Sequence, residues 1–376
     1  MTKGRKTMDS AESLRRTPLY QEHRHLGATM SAFAGFDMPV QYQGILEESL
    51  ATREQVGIFD VSHMAAFRIR GASATNFLQY MLTNDLDKIS DVGAAQYTLL
   101  LDEDGGIIDD VIVYNTGGEF MMVANADNRD AVYEWLVDHS ADGTGFDEVE
   151  IYDESDRTAL IAVQGPEALE VIAEFAADDD WEAPARFHIA AIKLGEVNAL
   201  VARTGYTGED GVELIIHKED AVDVWRALLS FENVIPVGLG ARDILRLEMG
   251  YHLYGTDMDR SRNPIEAGLG WVCPKGQADY IGCEAVAAAR TEGVAEKLVY
   301  MTVSGGIPRK DFPVFDDADK QIGTIASGSH SPALGTGIAT AYVPVEFSAP
   351  GTQLKVGIRK RRADAAVVKA PFLKKA

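Results

Sequence analysis

The 376-residue chain has only two cysteines, Cys273 and Cys283, ten residues apart and outside any C-x-x-C pair. That leaves no disulfide framework and no zinc spacing, and both read as reduced thiols filling space. The eight histidines form no H-x-x-x-H or H-E-x-x-H pair, so no histidine metal centre is expected, and His63 in DVSHM reads as a packed or hydrogen-bonded ring. No window approaches the roughly 20 apolar residues that cross a bilayer. The start, MTKGRKTMDSAESLRRTPLYQEH, is basic without the apolar core of a secretory signal. A cytoplasmic protein without a membrane partner is the expectation. Basic residues are outnumbered, 35 against 58 acids, for a formal charge of −23. Nucleic acid is therefore not an expected partner, because phosphate neutralisation needs a basic surface. Such a composition suits a salt-adapted surface or simply a soluble acidic protein. Also missing are a G-x-G-x-x-G turn, a P-loop, a Ser-His-Asp set and a nucleophilic cysteine setting.

What is present points to an α+β chain of two or three domains. The segments MAAFRIRG, AQYTLLLD, IIDDVIVYNTG, EFMMVAN, ALIAVQG and AIKLGEVNALVARTG read as strands. ATNFLQYML, RDAVYEWLVDHS, PEALEVIAEFA and EDAVDVWRALLSF carry the three-to-four spacing of amphipathic helices. ARDILRLEMGYHLYG reads as a further helix with Arg242 and Arg246 on one face. From about residue 295 the texture changes to short strands between Gly, Pro and Ser turns, the pattern of a small β-barrel or jelly roll. A boundary near residue 290 separates a region 1–290 from a barrel domain 291–376. The basic stretch KVGIRKRRADAAVVKAPFLKK reads either as a guarded strand edge or as a site for an acidic ligand.

Three constellations could carry chemistry. In DEDGGIIDDVIVY, Gly105 and Gly106 permit a hairpin turn, and the returning strand begins with Asp109 and Asp110, which alternation sends to opposite faces. In RTGYTGEDGVEL, Glu213 follows the glycines on a strand, where its carboxylate could accept two parallel N–H bonds from a flat heterocycle. In GLGARDILRLE, Arg242 opens a helix, free to clamp a carboxylate or to pair with a neighbouring acid. An acid for chemistry, an acid for a heterocycle and an arginine for a carboxylate together suit folate.

The order of AGFDMPVQY, GIFDVSHM, GGIIDDVIVY, AVQGP, GYTGEDGVE, GLGARDILRLEMGYHLYG, IGTIASGSHSP and AYVP, from RTPLYQEH to VVKAPF, resembles the T-protein family, the aminomethyltransferases of the glycine cleavage system. The resemblance implies two interleaved mixed α/β domains and a C-terminal barrel around a central opening that holds tetrahydrofolate. It implies a lipoylated H-protein as donor of the aminomethyl group, the products 5,10-methylenetetrahydrofolate, ammonia and the dihydrolipoyl arm, and no metal. By motif, Asp110 is the catalytic acid, leaving Asp109 to the turn or strand edge. Glu213 matches the acid that holds the pterin, and Arg242 the residue that meets the folate glutamate. Tyr97 and Asn125 match lining positions, and Met64 an apolar wall. A monomer is expected. The sequence departs from the family at Phe36, where an AGW-x-MP tryptophan is usual, and at the C-terminus, where Phe372 or basic residues such as Arg359 or Arg362 would stand in around the folate tail. The alternatives are a tetrahydrofolate-dependent demethylase of a small S- or O-methyl compound and a non-enzymatic iron–sulfur assembly protein. The second is disfavoured because QADYIGCEAVAAAR lacks the KGCYxGQE pattern.

Overall fold

The computed structural model describes residues 14–141, 144–146, 148–176, 181–276 and 279–374. The first thirteen residues of the basic start, and Asp178, Asp179 and Asp180, lie outside the described residues.

Strand alternation organises the body into two sheets. The five-stranded antiparallel sheet runs, in spatial order, Ala95–Leu101, Ile107–Asn115, Glu119–Ala124, Ala65–Arg70 and Glu150–Asp153. Helices Ala74–Met81 and Arg129–His139 cover one of its faces, burying Phe77, Leu78 and Leu136 against Phe67, Val111 and Val113. The six-stranded sheet runs Ile189–Leu194, Val197–Ala202, Gly211–His217, Thr158–Gln164, Val56–Asp60 and Val234–Pro236. Trp225 of helix Ala221–Leu228 is the largest side chain fully buried on it. The remaining faces of the two sheets meet through Phe59, Tyr114, Leu160, Ala162 and Ile215. Because Val56–Asp60 joins a sheet otherwise drawn from residues 158–236, the five-stranded unit is inserted within it, which is the interleaving the family resemblance implied.

Glu296–Val303, Thr336–Pro344, Gln321–Ser331, Pro313–Phe315, Gln353–Ile358 and Arg361–Val368 close into a six-stranded barrel. The structure corrects two element readings. AIKLGEVNALVARTG is two strands folded on each other about Gly195, which takes φ +55°, and not one. The helix read through GYHLYG ends at Glu248, because Gly250 adopts φ +73° and the chain leaves as a loop.

Charged side chains bolt the barrel to the body. Arg246, buried, donates to Asp257 (2.6 Å), Asp243 (2.8 Å), Ser327 of the barrel (2.8 Å) and the carbonyl of Tyr251 (3.0 Å). Glu248 accepts from Ser331 of the barrel at 2.6 Å and from Arg53 at 2.7 Å, and Arg53 also donates to the Thr207 carbonyl and to Glu209, both at 2.7 Å. Helix, glycine-rich hairpin and barrel are thereby held in one register around the space between them.

Candidate active site

A cavity of about 960 Å³ lies where the two sheets and the barrel converge. Its lining takes Tyr97 and Asp110 from the five-stranded sheet, Glu213 from the six-stranded sheet, Arg242 from helix Leu239–Glu248 and Tyr300 and Ser327 from the barrel. This volume is at the upper end of the range for small-molecule sites, roughly 300–1,000 Å³.

The paired acids divide as alternation requires. Asp110 shares parity with Ile112 and Tyr114 and lines the cavity, while Asp109 shares parity with Val111 and Val113 and faces the helices. Asp110 accepts from the Tyr97 hydroxyl at 3.0 Å and from Asn125 Nδ2 at 2.8 Å. The expectation for Asp109 is corrected, since it is neither at the turn nor at an edge but fully buried. It accepts from Asn125 N (2.9 Å), Asn125 Nδ2 (2.8 Å) and Asn128 Nδ2 (2.7 Å), donors supplied by the approach to helix Arg129–His139. One amide, that of Asn125, therefore ties both carboxylates. Burial pushes the Asp109 carboxyl well above the usual aspartate range, with the charge of Asp110 adding to it. Burial also raises Asp110, partly offset by the hydrogen bonds from Tyr97 and Asn125 and by the field of His252. The turn before them is as read: Asp102 caps it by accepting from Gly106 N at 2.7 Å, and a Cβ on Gly106 would come within 2.3 Å of the Arg260 carbonyl.

Glu213 sits mid-strand between Ala162 and Ala202. One carboxylate oxygen accepts from the Thr204 hydroxyl at 2.5 Å, and the other has no protein partner among the described residues. Gly205, next to that threonine, is required because a Cβ would meet the Gln164 amide at 2.0 Å. Arg242 lies in the field of Glu213, its guanidinium 4.9 Å from the centre of the Tyr206 ring. Its Nη1 is buried without a hydrogen-bond partner, and burial lowers its pKa. The Arg242 helix is itself anchored by Glu48, whose carboxylate accepts from Gly238 N (2.8 Å) and from the amides of Tyr42, Gln43 and Gly44.

Tyr97, Asn125 and Met64 all line the cavity. Phe36, in the tryptophan position, packs between the guanidinium of Arg15 (4.2 Å) and the ring of His63. Arg359 and Arg362 do not line the cavity; Arg362 is bound to Asp319 at 2.8 Å and lies over Phe315. Phe372 stands behind the wall, edge-on to Tyr300 at 5.8 Å. Sequence reasoning missed His252, Trp271 and Tyr206. His252 lines the cavity with its Nε2 donating to the Ala267 carbonyl at 2.7 Å. Trp271 is 65% exposed at the rim and stacks on Tyr97. The available signal was nearness to glycine: Tyr206 and Trp271 follow Gly205 and Gly270 directly, and His252 lies two residues past Gly250.

Residues 19–277 match the GCVT N-terminal domain and residues 297–374 the glycine cleavage T-protein C-terminal barrel domain. The aminomethyltransferase of Chloroherpeton thalassium is 44% identical over 364 residues, covering 96% of this chain and 99% of that one. That of Thermotoga petrophila is 45% identical over 365 residues, covering 96% and 98%. The crystal structure of the glycine cleavage system aminomethyltransferase T from Bartonella henselae superposes with a TM-score of 0.89 at 33% identity, over 96% of this chain and 98% of that one. The chain belongs to the glycine cleavage T-protein family of aminomethyltransferases.

Proposed function

We infer that the protein moves the methylene of an aminomethyl group from the lipoyl arm of H-protein to tetrahydrofolate. The S–CH2 and CH2–N bonds of the donor break and two C–N bonds form, to N5 of the pterin ring and to N10 of the p-aminobenzoyl link. The two protons displaced from those nitrogens go to the sulfur and to the departing amine, giving dihydrolipoyl arm, ammonia and 5,10-methylenetetrahydrofolate. Tetrahydrofolate supplies the two nucleophilic nitrogens. The observation that carries the reading is the convergence of Asp110, Glu213 and Arg242 on one cavity.

Asp110, held by Tyr97 and Asn125, places a fixed negative charge where positive charge grows on the carbon in transit, and offers an acceptor for a proton. Glu213, with one oxygen spare, accepts from the amino and ring N–H groups of the pterin. Arg242 lines the same cavity in the field of Glu213, which supports a role at the pterin end in place of the folate glutamate. The glutamate then faces the rim, where Lys310 and the exposed Arg186 line the opening. Met64 supplies an apolar wall. The open rim at Trp271 suits a long arm better than a small enclosed methyl donor. In this reading the protein works in the cytoplasm as a monomer, divides near residue 290, and has lipoylated H-protein as its partner.

Incubation with tetrahydrofolate and aminomethylated H-protein tests the reading. Ammonia and methylenetetrahydrofolate should appear together, and Asp110→Asn should lower turnover by about 10²–10⁴-fold. Asp109→Asn, acting from outside the cavity through Asn125 and through its charge on Asp110, should cost less. Binding of tetrahydrofolate without ammonia release, and turnover of an S- or O-methyl donor instead, would transfer the reading to demethylation.

A further inference from the structure

His63 is 6% exposed and lines the cavity, yet its Nδ1 has no hydrogen-bond partner. The rings of Phe33 and Phe36 pack edge-on against it at 5.5 and 6.3 Å between centroids. Arg242 and Asp60 are the charged groups whose fields reach it. Asp60 takes its bonds from Thr17, His23 and the Ser62 amide and none from His63. Buried polar atoms without partners are rare and costly, and a ligand that supplies the partner removes the cost. Two such atoms, His63 Nδ1 and Arg242 Nη1, belong to side chains that both line the cavity, with His63 in the field of Arg242.

We infer that His63 is a specificity-determining residue for the heterocycle, its imidazole joining Arg242 in bonding the oxo side of the pterin edge while Glu213 takes the adjacent N–H groups. This rests on the folate reading above. Burial, with the nearby Arg242 charge, pushes the imidazole down to about 4, opposed only by Asp60. At neutral pH the ring is therefore uncharged, with one donor and one acceptor nitrogen. A neutral ring adds a hydrogen bond beside the guanidinium without adding a second repelling cation. Neither a buried lysine nor an apolar residue could do both.

The test compares binding of tetrahydrofolate and of the ring fragment 6-methyltetrahydropterin to the full chain and to His63→Phe and His63→Asn. His63→Phe fills the same space between the two rings, and should weaken both ligands about 10-fold while raising KM for tetrahydrofolate and leaving kcat and the melting temperature nearly unchanged. His63→Asn, which keeps a polar group close to the Nδ1 position, should recover most of the loss. Equal binding by His63→Phe, or a loss confined to tetrahydrofolate, overturns the inference, the latter by moving His63 to the tail. A fall in melting temperature for both variants with no recovery by Asn makes the histidine structural and overturns it as well. If the unaltered protein binds neither ligand, the folate reading fails and takes this inference with it.

Discussion

Arg242 and Arg246 stand one turn apart on the same helix, the first half-buried with its Nη1 shut off from water and the second fully buried, and the protein treats them in opposite ways. Arg246 has four hydrogen-bond partners, including two carboxylates, and these hold its pKa above the usual range despite burial. Arg242 has a bare Nη1 and a ring beneath it, and its pKa falls. The acids divide by whether a cation faces them. Asp257, facing Arg246, is held below the usual aspartate range against the pull of burial, whereas Asp109 and Asp110 are raised. Between the two arginines, the fully bonded one belongs to the scaffold, and the one with a bare nitrogen lines the space kept for a ligand.

Substitution of the two arginines would break or sharpen that comparison most strongly. Arg246→Met should cost about 3–5 kcal/mol of unfolding free energy, because it strands the buried Asp257. Denaturant unfolding followed by circular dichroism reads this. Arg242→Met removes a charge with no carboxylate bonded to it, so stability should stay within about 1 kcal/mol, while KM for tetrahydrofolate rises at least about 10-fold. Equal destabilisation by the two would erase the distinction between scaffold and site.

A smaller effect should appear in the pH–rate profile. Asp110 must be ionised to stabilise positive charge, so its raised pKa places the acid limb of kcat/KM above the ordinary aspartate range. The Tyr97 hydroxyl donates to the ionised form and lowers that pKa. Tyr97→Phe should therefore move the acid limb to higher pH, with the plateau less affected. A limb that stays in place or moves down would show that another group titrates.

The smallest effect is on stability in acid. Asp257 has a folded pKa below its unfolded value of about 3.9, although burial acts the other way, because Arg246, His252, Thr340 and the Leu253 amide favour its charged form. Its contribution is fully present above the unfolded pKa and is lost as pH falls through the folded one. The melting temperature of the unaltered protein should fall steeply below about pH 4, and the Arg246→Met variant, with that pairing gone, should show a shallower dependence there. Parallel curves for the two proteins would remove the pair from the acid response.

Much of this was readable from the residues. Alternation separated Asp109 from Asp110 before any fold was known, since a strand has only two faces. The Gly105–Gly106 turn, the amphipathic helices and the barrel texture after residue 295 followed from local sterics and periodicity. Order of motifs brought Asp110, Glu213, Tyr97, Asn125 and Met64 together, and all five line one cavity. The helical spacing of Arg242 and Arg246 suggested a shared face and a shared role. It could not tell them apart, because the difference lies in Asp257 and Ser327, which reach Arg246 from elsewhere in the chain. Asp109 was misplaced for a similar reason: Asn125 and Asn128, its partners, are sequence-distant.

Local backbone chemistry, acting over two to four residues, thus determined by itself where strands alternate, where helices stop and which side chains share a face. Only the tertiary structure decided which buried charges are satisfied, since that depends on contacts such as Arg53 to Glu248, 195 residues apart. The energy of a buried charge is set by the partners that surround it and the water removed from it, and neither is a property of neighbouring residues along the chain.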